Sequence, residues 1–336
     1  LFKVGIMVRI HFLSYVDLEI LHSKELLSLK QTTRVYTRHI DILNRFAPEL
    51  TGCPLHKAAP SDAIPELPPN MSTFSGQIAG HKMGVRNGEF EFGFMKDQRH
   101  PDRLLKPAQR GVRGNCEINF YESIFSPSGP AAMRIFRSLL PHYHGTRYLP
   151  MKGIELNVME MEDLSASFVC PATIDIKIGR QTFGPDASAA KAAKERKKYP
   201  HQAEIGFRLL GYTVSNKPEL NRDRAWGFTV QPDQIQCALS AFLSTRGPDA
   251  ARSMLLSLLA RLDLIRTAMA SGLVHIYSSS LLICYEASPS LPPKIDVRMI
   301  DFSHVFDGQG EMDHNYVYGI DQLRKHLQNI LADLGS

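Results

Sequence analysis

Two segments of this chain set an acidic residue within, or at the end of, an apolar run. Pro171-Ala-Thr-Ile-Asp175-Ile-Lys177-Ile-Gly179 sets a carboxylate and an amine two residues apart. At strand spacing alternate residues share a face, so Asp175 and Lys177 can look into one cleft. Met299-Ile-Asp301-Phe-Ser-His304 closes a second apolar run with Asp301 and brings His304 three residues later. Carboxylates so placed suit Mg²⁺ in phosphoryl transfer, which takes one or two of them and finds its other ligands on substrate phosphates. A third segment is basic. Lys191, Lys194 and Lys198 stand at i, i+3 and i+7, so a helix there carries three ammonium groups on one face. A polyanion would neutralise them. Each feature alone has a plainer reading: Asp-x-Lys as a surface ion pair, and the lysines as a solvated face diluted by Glu195 and Arg196.

The elements that must position these residues are partly legible. Glu89–Phe94, Arg103–Lys106, Ile154–Met161, Thr173–Ile178, Ile205–Val214, Ser280–Tyr285 and Asp296–Asp301 read as strands. Asp97–Asp102 connects the first two. Glu117–Phe125, Ala131–Leu140, Ser188–Lys198, Asp233–Ser244, Pro248–Met269 and Asn315–Leu334 read as helices. Before them, Leu18–Leu29 suggests a helix, and residues 51–73 carry five prolines and read as a boundary. Strands early and a mixed second half make an α+β protein with two lobes.

The 336 residues include 43% hydrophobic and 22% charged, which excludes a mostly disordered chain. No apolar run reaches the roughly 18 residues of a membrane-spanning helix. The chain begins with Leu1, and the apolar stretch Leu1–Leu13 lacks the small-residue cleavage site of a secretory signal. A net charge of +5 is a mild basic excess that fits the handling of anions. It is too small, with too few aromatics interleaved, for a nucleic-acid binder. Five scattered cysteines without a C-x-x-C pair argue against a disulfide framework or structural zinc and for a reducing compartment. Neither the G-x-x-x-x-G-K-[ST] nor the G-x-G-x-x-G phosphate loop occurs; Arg110-Gly-Val-Arg-Gly114 matches neither.

Taken together the motifs are more specific. Pro171–Gly179 matches P-x-x-x-D-x-K-x-G, Ser278-Ser-Ser-Leu-Leu282 matches S-S-L-L, and Arg298–His304 matches I-D-F-[A/S]-H. Gln77-Ile-Ala-Gly-His81 and Tyr316-Val-Tyr-Gly-Ile-Asp-Gln-Leu323 flank them. In order and spacing the chain resembles the inositol polyphosphate kinase family from about residue 75 to its end. It most resembles the multikinase branch, through Asp301–Phe306, Leu105-Lys-Pro with Arg110–Arg113, and Lys198-Tyr-Pro200. The hexakisphosphate kinase branch is the runner-up, echoed in Asp186–Ser188 and Lys191–Ala193.

The resemblance implies a two-lobed, protein-kinase-like α+β fold with an antiparallel-sheet N-lobe (75–163), a mixed C-lobe (164–336) and a short helical substrate-binding insert (186–199). Residues 1–74 would be an extension outside it. The implied activity is transfer of the γ-phosphate of ATP to inositol trisphosphate and tetrakisphosphate with Mg²⁺. The alternatives are a hexakisphosphate kinase that makes pyrophosphates and a non-catalytic scaffold for inositol phosphates or phosphoinositides. Lys106 would hold the ATP phosphates and Glu117 would pair with it. Glu162 and Leu164 would offer backbone groups to adenine, and Asp175 would bind the ribose. Lys177 would touch the transferred phosphoryl group and the substrate, and Asp301 would ligate Mg²⁺. Lys191, Lys194 and Lys198 would clamp inositol phosphates, with His304 near the reacting hydroxyl. Lys194 and Glu195 stand where animal multikinases carry glutamines. The extra Lys favours a more phosphorylated substrate and the Glu opposes it. The same resemblance implies a monomer of cytoplasm and nucleus, with phosphoinositide lipid as a further partner and no direct nucleic acid. Ser278–Ser280 read as strand and turn geometry, and Cys284 as a small core residue.

Overall fold

Alternating side chains build the first sheet. In the computed structural model, which describes residues 66–80, 83–86, 89–151 and 154–335, a five-stranded antiparallel sheet runs in the order β1 (Met71–Thr73), β4 (Met95–Asp97), β5 (His100–Pro107), β7 (Ile154–Glu162) and β6 (Tyr143–Met151). β2 (Gly84–Arg86) and β3 (Glu89–Glu91) pair separately. Leu105 turns to one face, into a core with Met95, Leu149, Met151, Leu156 and Val158. Leu104 and Lys106 turn to the other, which lines a cleft. The Leu18–Leu29 helix and His81 lie outside the described residues.

The structure differs from the sequence reading in several places here, beginning with β6, a strand that reading did not mark. β1, placed in the extension by the sequence, pairs with β4 in the sheet. The expected strand Glu89–Phe94 is a strand only over Glu89–Glu91, in β3; Phe92–Phe94, with Gly93 at its centre, links β3 to β4. The expected connection Asp97–Asp102 shrinks to a two-residue turn, Gln98–Arg99, between Asp97 of β4 and His100 of β5, in which Asp97 Oδ1 accepts from the Arg99 N–H at 3.0 Å. Ala131–Leu140, expected as a helix, forms only a 3-10 turn over Ala131–Phe136. Pro130 and Pro141 bound that segment, and i→i+3 bonds such as Met133 N–H to Pro130 O satisfy its backbone.

The second lobe is built on a four-stranded antiparallel sheet ordered β12 (Ile295–Ile300), β11 (Ser280–Glu286), β8 (Pro171–Ile178) and β9 (Phe207–Val214). Ile174, Ile176 and Ile178 are fully buried on its rear face, which leaves Thr173, Asp175 and Lys177 on the other. A small antiparallel pair joins β10 (Val274–Ile276) to β13 (Val305–Asp307), the strand that follows Asp301. Seven α-helices are described: α1 (Val112–Phe125), α2 (Ala189–Lys198), α3 (Gln202–Ile205), α4 (Arg224–Thr229), α5 (Ile235–Leu243), α6 (Pro248–Ala270) and α7 (His314–Asp333).

Two motif glycines join this lobe's parts. A Cβ on Gly319 of α7 would stand 2.3 Å from Gly206 O and 2.9 Å from Gly179 N. Gly179 itself has φ +108 and would press a Cβ against Asn315. The glycines of P-x-x-x-D-x-K-x-G and Y-x-x-G therefore meet, and their missing side chains let α7 lie directly behind β8.

Candidate active site

The cleft between the sheets encloses about 280 Å³, and its lining includes Leu104, Lys106, Glu162, Leu164, Asp175 and Asp301. At one end Lys106 Nζ donates to Glu117 Oε1 at 2.7 Å and to Asp301 Oδ1 at 2.6 Å. Glu117 is fully buried on α1, and its Oε1 also accepts the Phe302 N–H at 3.1 Å. Phe302 anchors that turn: its buried ring lies 4.6 Å from Phe120 and 5.5 Å from Tyr121, both on α1. Asp301 is held between these contacts at φ +66, a conformation uncommon for a non-glycine residue and frequent at functional sites. Burial works against the Lys106 charge, but Asp301 and Glu117 outweigh it and hold the amine above its ordinary value. Burial likewise works to raise the Asp301 carboxyl, yet Lys106 and Lys177 keep it below the usual carboxylate range.

The opposite wall is the link between the lobes. The Glu162 carboxylate turns away from the cleft and accepts from His142 N–H at 2.9 Å, so what this residue can offer a ligand is backbone. Asp163 fixes the next turn by accepting from Ser165 N–H at 2.9 Å and from Lys96 at 2.7 Å. Leu164 then faces the cleft with Leu282, Cys284 and Ile300, an apolar floor suited to a flat ring. Cys284 is buried, as expected of a core residue.

On β8, Asp175 and Lys177 do share a face. Asp175 is buried with Oδ1 unpartnered. Burial, and then the negative charge of Asp301, push its carboxyl up to about 6. Lys177 Nζ donates to Ser278 O at 2.6 Å and Ser278 Oγ at 3.2 Å. Ser278 sits at φ +62, so this serine does shape a turn while also steering Lys177. Burial lowers the Lys177 amine, with Asp301 and Asp175 opposing.

The basic helix forms where the sequence reading puts it. Ser188 caps α2, accepting from Lys191 N–H at 3.2 Å. Lys191 lies near enough to His304 to help lower its pKa, after burial and ahead of Arg113. Lys194 is exposed. Lys198 donates to Glu195 Oε1 at 2.6 Å, so one lysine of the face is already neutralised by its own helix.

The sequence model of the family described as inositol polyphosphate kinase matches residues 158–328. The inositol polyphosphate multikinase IPK2 of Oryza sativa subsp. indica is 30% identical over 292 residues, covering 77% of this chain and 94% of its own length. Inositol polyphosphate multikinase alpha of Arabidopsis thaliana is 32% identical over 257 residues, 68% and 87% of the two chains. The chain belongs to the inositol polyphosphate kinase family. It is a kinase of inositol polyphosphates, with the expected two-lobed α+β fold. That fold is shared by the Ipk2 multikinase of S. cerevisiae, solved with ADP and Mn²⁺, at a TM-score of 0.57 and 19% identity over 68% of this chain and 99% of that one.

Within this kinase the donor set fits a divalent cation that brings its own phosphate ligands. Among the described residues no group of three His, Cys, Asp or Glu could cage a metal. Two carboxylates, Asp175 and Asp301, nevertheless repel each other across the cleft, and one has an orphaned oxygen. Several neighbours of the site escaped the sequence reading. Gln109 donates to Ser303 Oγ at 2.7 Å across the lobes, and Arg113 lies near His304. Arg208 is buried on β9 directly opposite Lys177. A charge inside the apolar run Phe207–Val214 was the available signal for Arg208.

Proposed function

We propose that this kinase is a multikinase, which transfers the γ-phosphoryl group of ATP to hydroxyls of inositol trisphosphate and tetrakisphosphate. The observation that carries this reading is the placement of Asp301 between Lys106 and Lys177: one carboxylate stands at the junction of the cleft and the basic helix. ATP would lie with adenine on the Leu164 floor, meeting the backbone of Glu162 and Leu164, and with its ribose at Asp175. At neutral pH Asp175 is ionised, since its carboxyl titrates at about 6, and it accepts from ribose hydroxyls. Lys106, oriented by Glu117, would exchange Asp301 for nucleotide phosphate. Asp301, freed from that pair, would hold Mg²⁺, which when bound neutralises charge on the phosphates. Lys177 would contact the transferred group. Lys191, Lys194, Lys198 and His304 would hold the acceptor, with Lys198 giving up Glu195 to do so. No carboxylate base stands beside the lysines, and a loose transition state needs little early deprotonation of the attacking hydroxyl. Phosphoinositide lipid as a further partner, a monomeric state, no direct binding of nucleic acid, and residence in cytoplasm and nucleus belong to the same proposal. They rest on the motifs shared with the multikinase branch.

The test is turnover with ATP and Mg²⁺ of the tris-, tetrakis-, pentakis- and hexakisphosphates offered separately. Conversion of the first two, reduced about 10²- to 10³-fold in kcat by Lys177→Ala and by Asp301→Asn, is the expected result. Conversion of hexakisphosphate alone would move the protein to the pyrophosphate-forming branch, a reading that Lys194 favours. No turnover by a folded protein would leave only the scaffold.

A further inference from the structure

Beside the site lies a buried cation with no ion-pair partner among the described residues. Arg208 is the cross-strand partner of Lys177, so the two side chains lie on one face of the sheet. It is 3% exposed. Its Nε is buried without a hydrogen-bond partner, and no ion pair or hydrogen bond ties the guanidinium to another described residue. Two aromatic rings hold it, Tyr199 at 5.8 Å and Phe228 at 4.8 Å. Arg224, on the exposed side of α4, lies over the same Phe228 ring at 5.5 Å. Burial and the Arg224 charge lower Arg208 to about 10, so it stays charged at neutral pH. Glu195 and Asp175 oppose that shift only from beyond pairing distance.

A buried, unpaired guanidinium is destabilising, and a well-packed apolar residue of similar size is commonly neutral or better. Aromatic stacking fixes the plane of the group and leaves its N–H edge for a ligand. That edge matches two phosphate oxygens at once, which an ammonium cannot do. Cross-strand neighbours stand about 5 Å apart, a separation that adjacent phosphate-bearing positions of a six-membered ring can span.

We propose that Arg208, with Arg224, forms a phosphate subsite of the acceptor: it binds a phosphate on the ring carbon next to the one whose hydroxyl is phosphorylated at Lys177. This rests on the acceptor being an inositol phosphate. The inference adds that the preferred substrate carries a phosphate adjacent to its reacting hydroxyl.

Steady-state kinetics with inositol trisphosphate and thermal melting of the full chain, on Arg208→Leu and Arg208→Lys, test this. The subsite predicts a KM for Arg208→Leu raised tenfold or more, a smaller change in kcat, and a ligand-free melting midpoint equal to or above wild type. Arg208→Lys keeps the charge and loses the two-point contact, so its KM falls between the two. An unchanged KM, or a lowered ligand-free midpoint for Arg208→Leu, would overturn the proposal by assigning Arg208 to packing. If wild type phosphorylates no inositol phosphate, the kinase reading fails separately, and melting alone decides the subsite. Inositol trisphosphate should then raise the wild-type midpoint and not that of Arg208→Leu; equal shifts would overturn it.

Discussion

The two ends of the site handle charge in opposite ways. At the nucleotide end, Lys106 is bracketed by Glu117 and Asp301 at 2.7 and 2.6 Å, so its charge is met before any ligand arrives. At the acceptor end, Lys177, Arg208, Lys191 and Lys194 outnumber their partners, and among the described residues only Lys198 pairs with a carboxylate. The first end is a set of exchangeable ion pairs, ready to trade Asp301 for a phosphate. The second is a standing positive field whose counter-ion is the substrate. The contrast teaches that pairing here tracks the ligand: ATP comes with a metal that compensates part of its charge, whereas an inositol phosphate relies on the protein's cations.

The largest expected effect is at the paired end. Lys106→Met leaves Glu117 buried without its cation, which costs about 3–5 kcal/mol of stability. Chemical denaturation should show it; a loss below about 1 kcal/mol would mean that the pair is not what holds α1 to the sheet. The next effect belongs to Asp175, which links the two ends. Its carboxyl titrates at about 6 in the folded chain against an ordinary 3.8. Between those values the folded form keeps a proton that the unfolded form has lost. This group's stability contribution is therefore full below 3.8 and is lost as pH rises through about 6, by up to about 3 kcal/mol. Asp175→Asn should flatten that part of the stability–pH curve, and an unchanged slope would place the titration elsewhere. The smallest effect is at the unpaired end. Lys191→Ala with Lys194→Ala removes one half-buried and one exposed cation and should raise KM for inositol phosphate about tenfold, with the KM for ATP unchanged. An equal rise for both substrates would erase the distinction between the ends.

Much of this arrangement was legible in the sequence because short-range rules governed it. The alternation of Asp175 and Lys177 against three isoleucines follows from strand period alone. The cap at Ser188 and the alanine–lysine run specify α2 locally. What stayed hidden depended on tertiary partners. β6 carries Gly145 and Pro150, which blur its alternation, and it is a strand only because β7 pairs along its length. The 3-10 turn at Ala131–Phe136 reflects the prolines that bound it more than its helix-forming composition. Lys198 was expected to be available to substrate, but Glu195 lies three residues away on the same face and claims it. Arg208 could be seen as a charge in an apolar strand, yet its position opposite Lys177 required the register of two strands far apart in sequence.

The central claim is that the acceptor end is charged in advance and the nucleotide end is not. Its most direct test is the melting midpoint of the wild-type chain titrated with inositol trisphosphate in the absence of nucleotide and metal, at two salt concentrations. The account predicts a clear upward shift that shrinks at high salt, because unpaired cations bind the anion unaided. No shift until ADP and a divalent cation are added would show that the nucleotide assembles the acceptor site, and would contradict it.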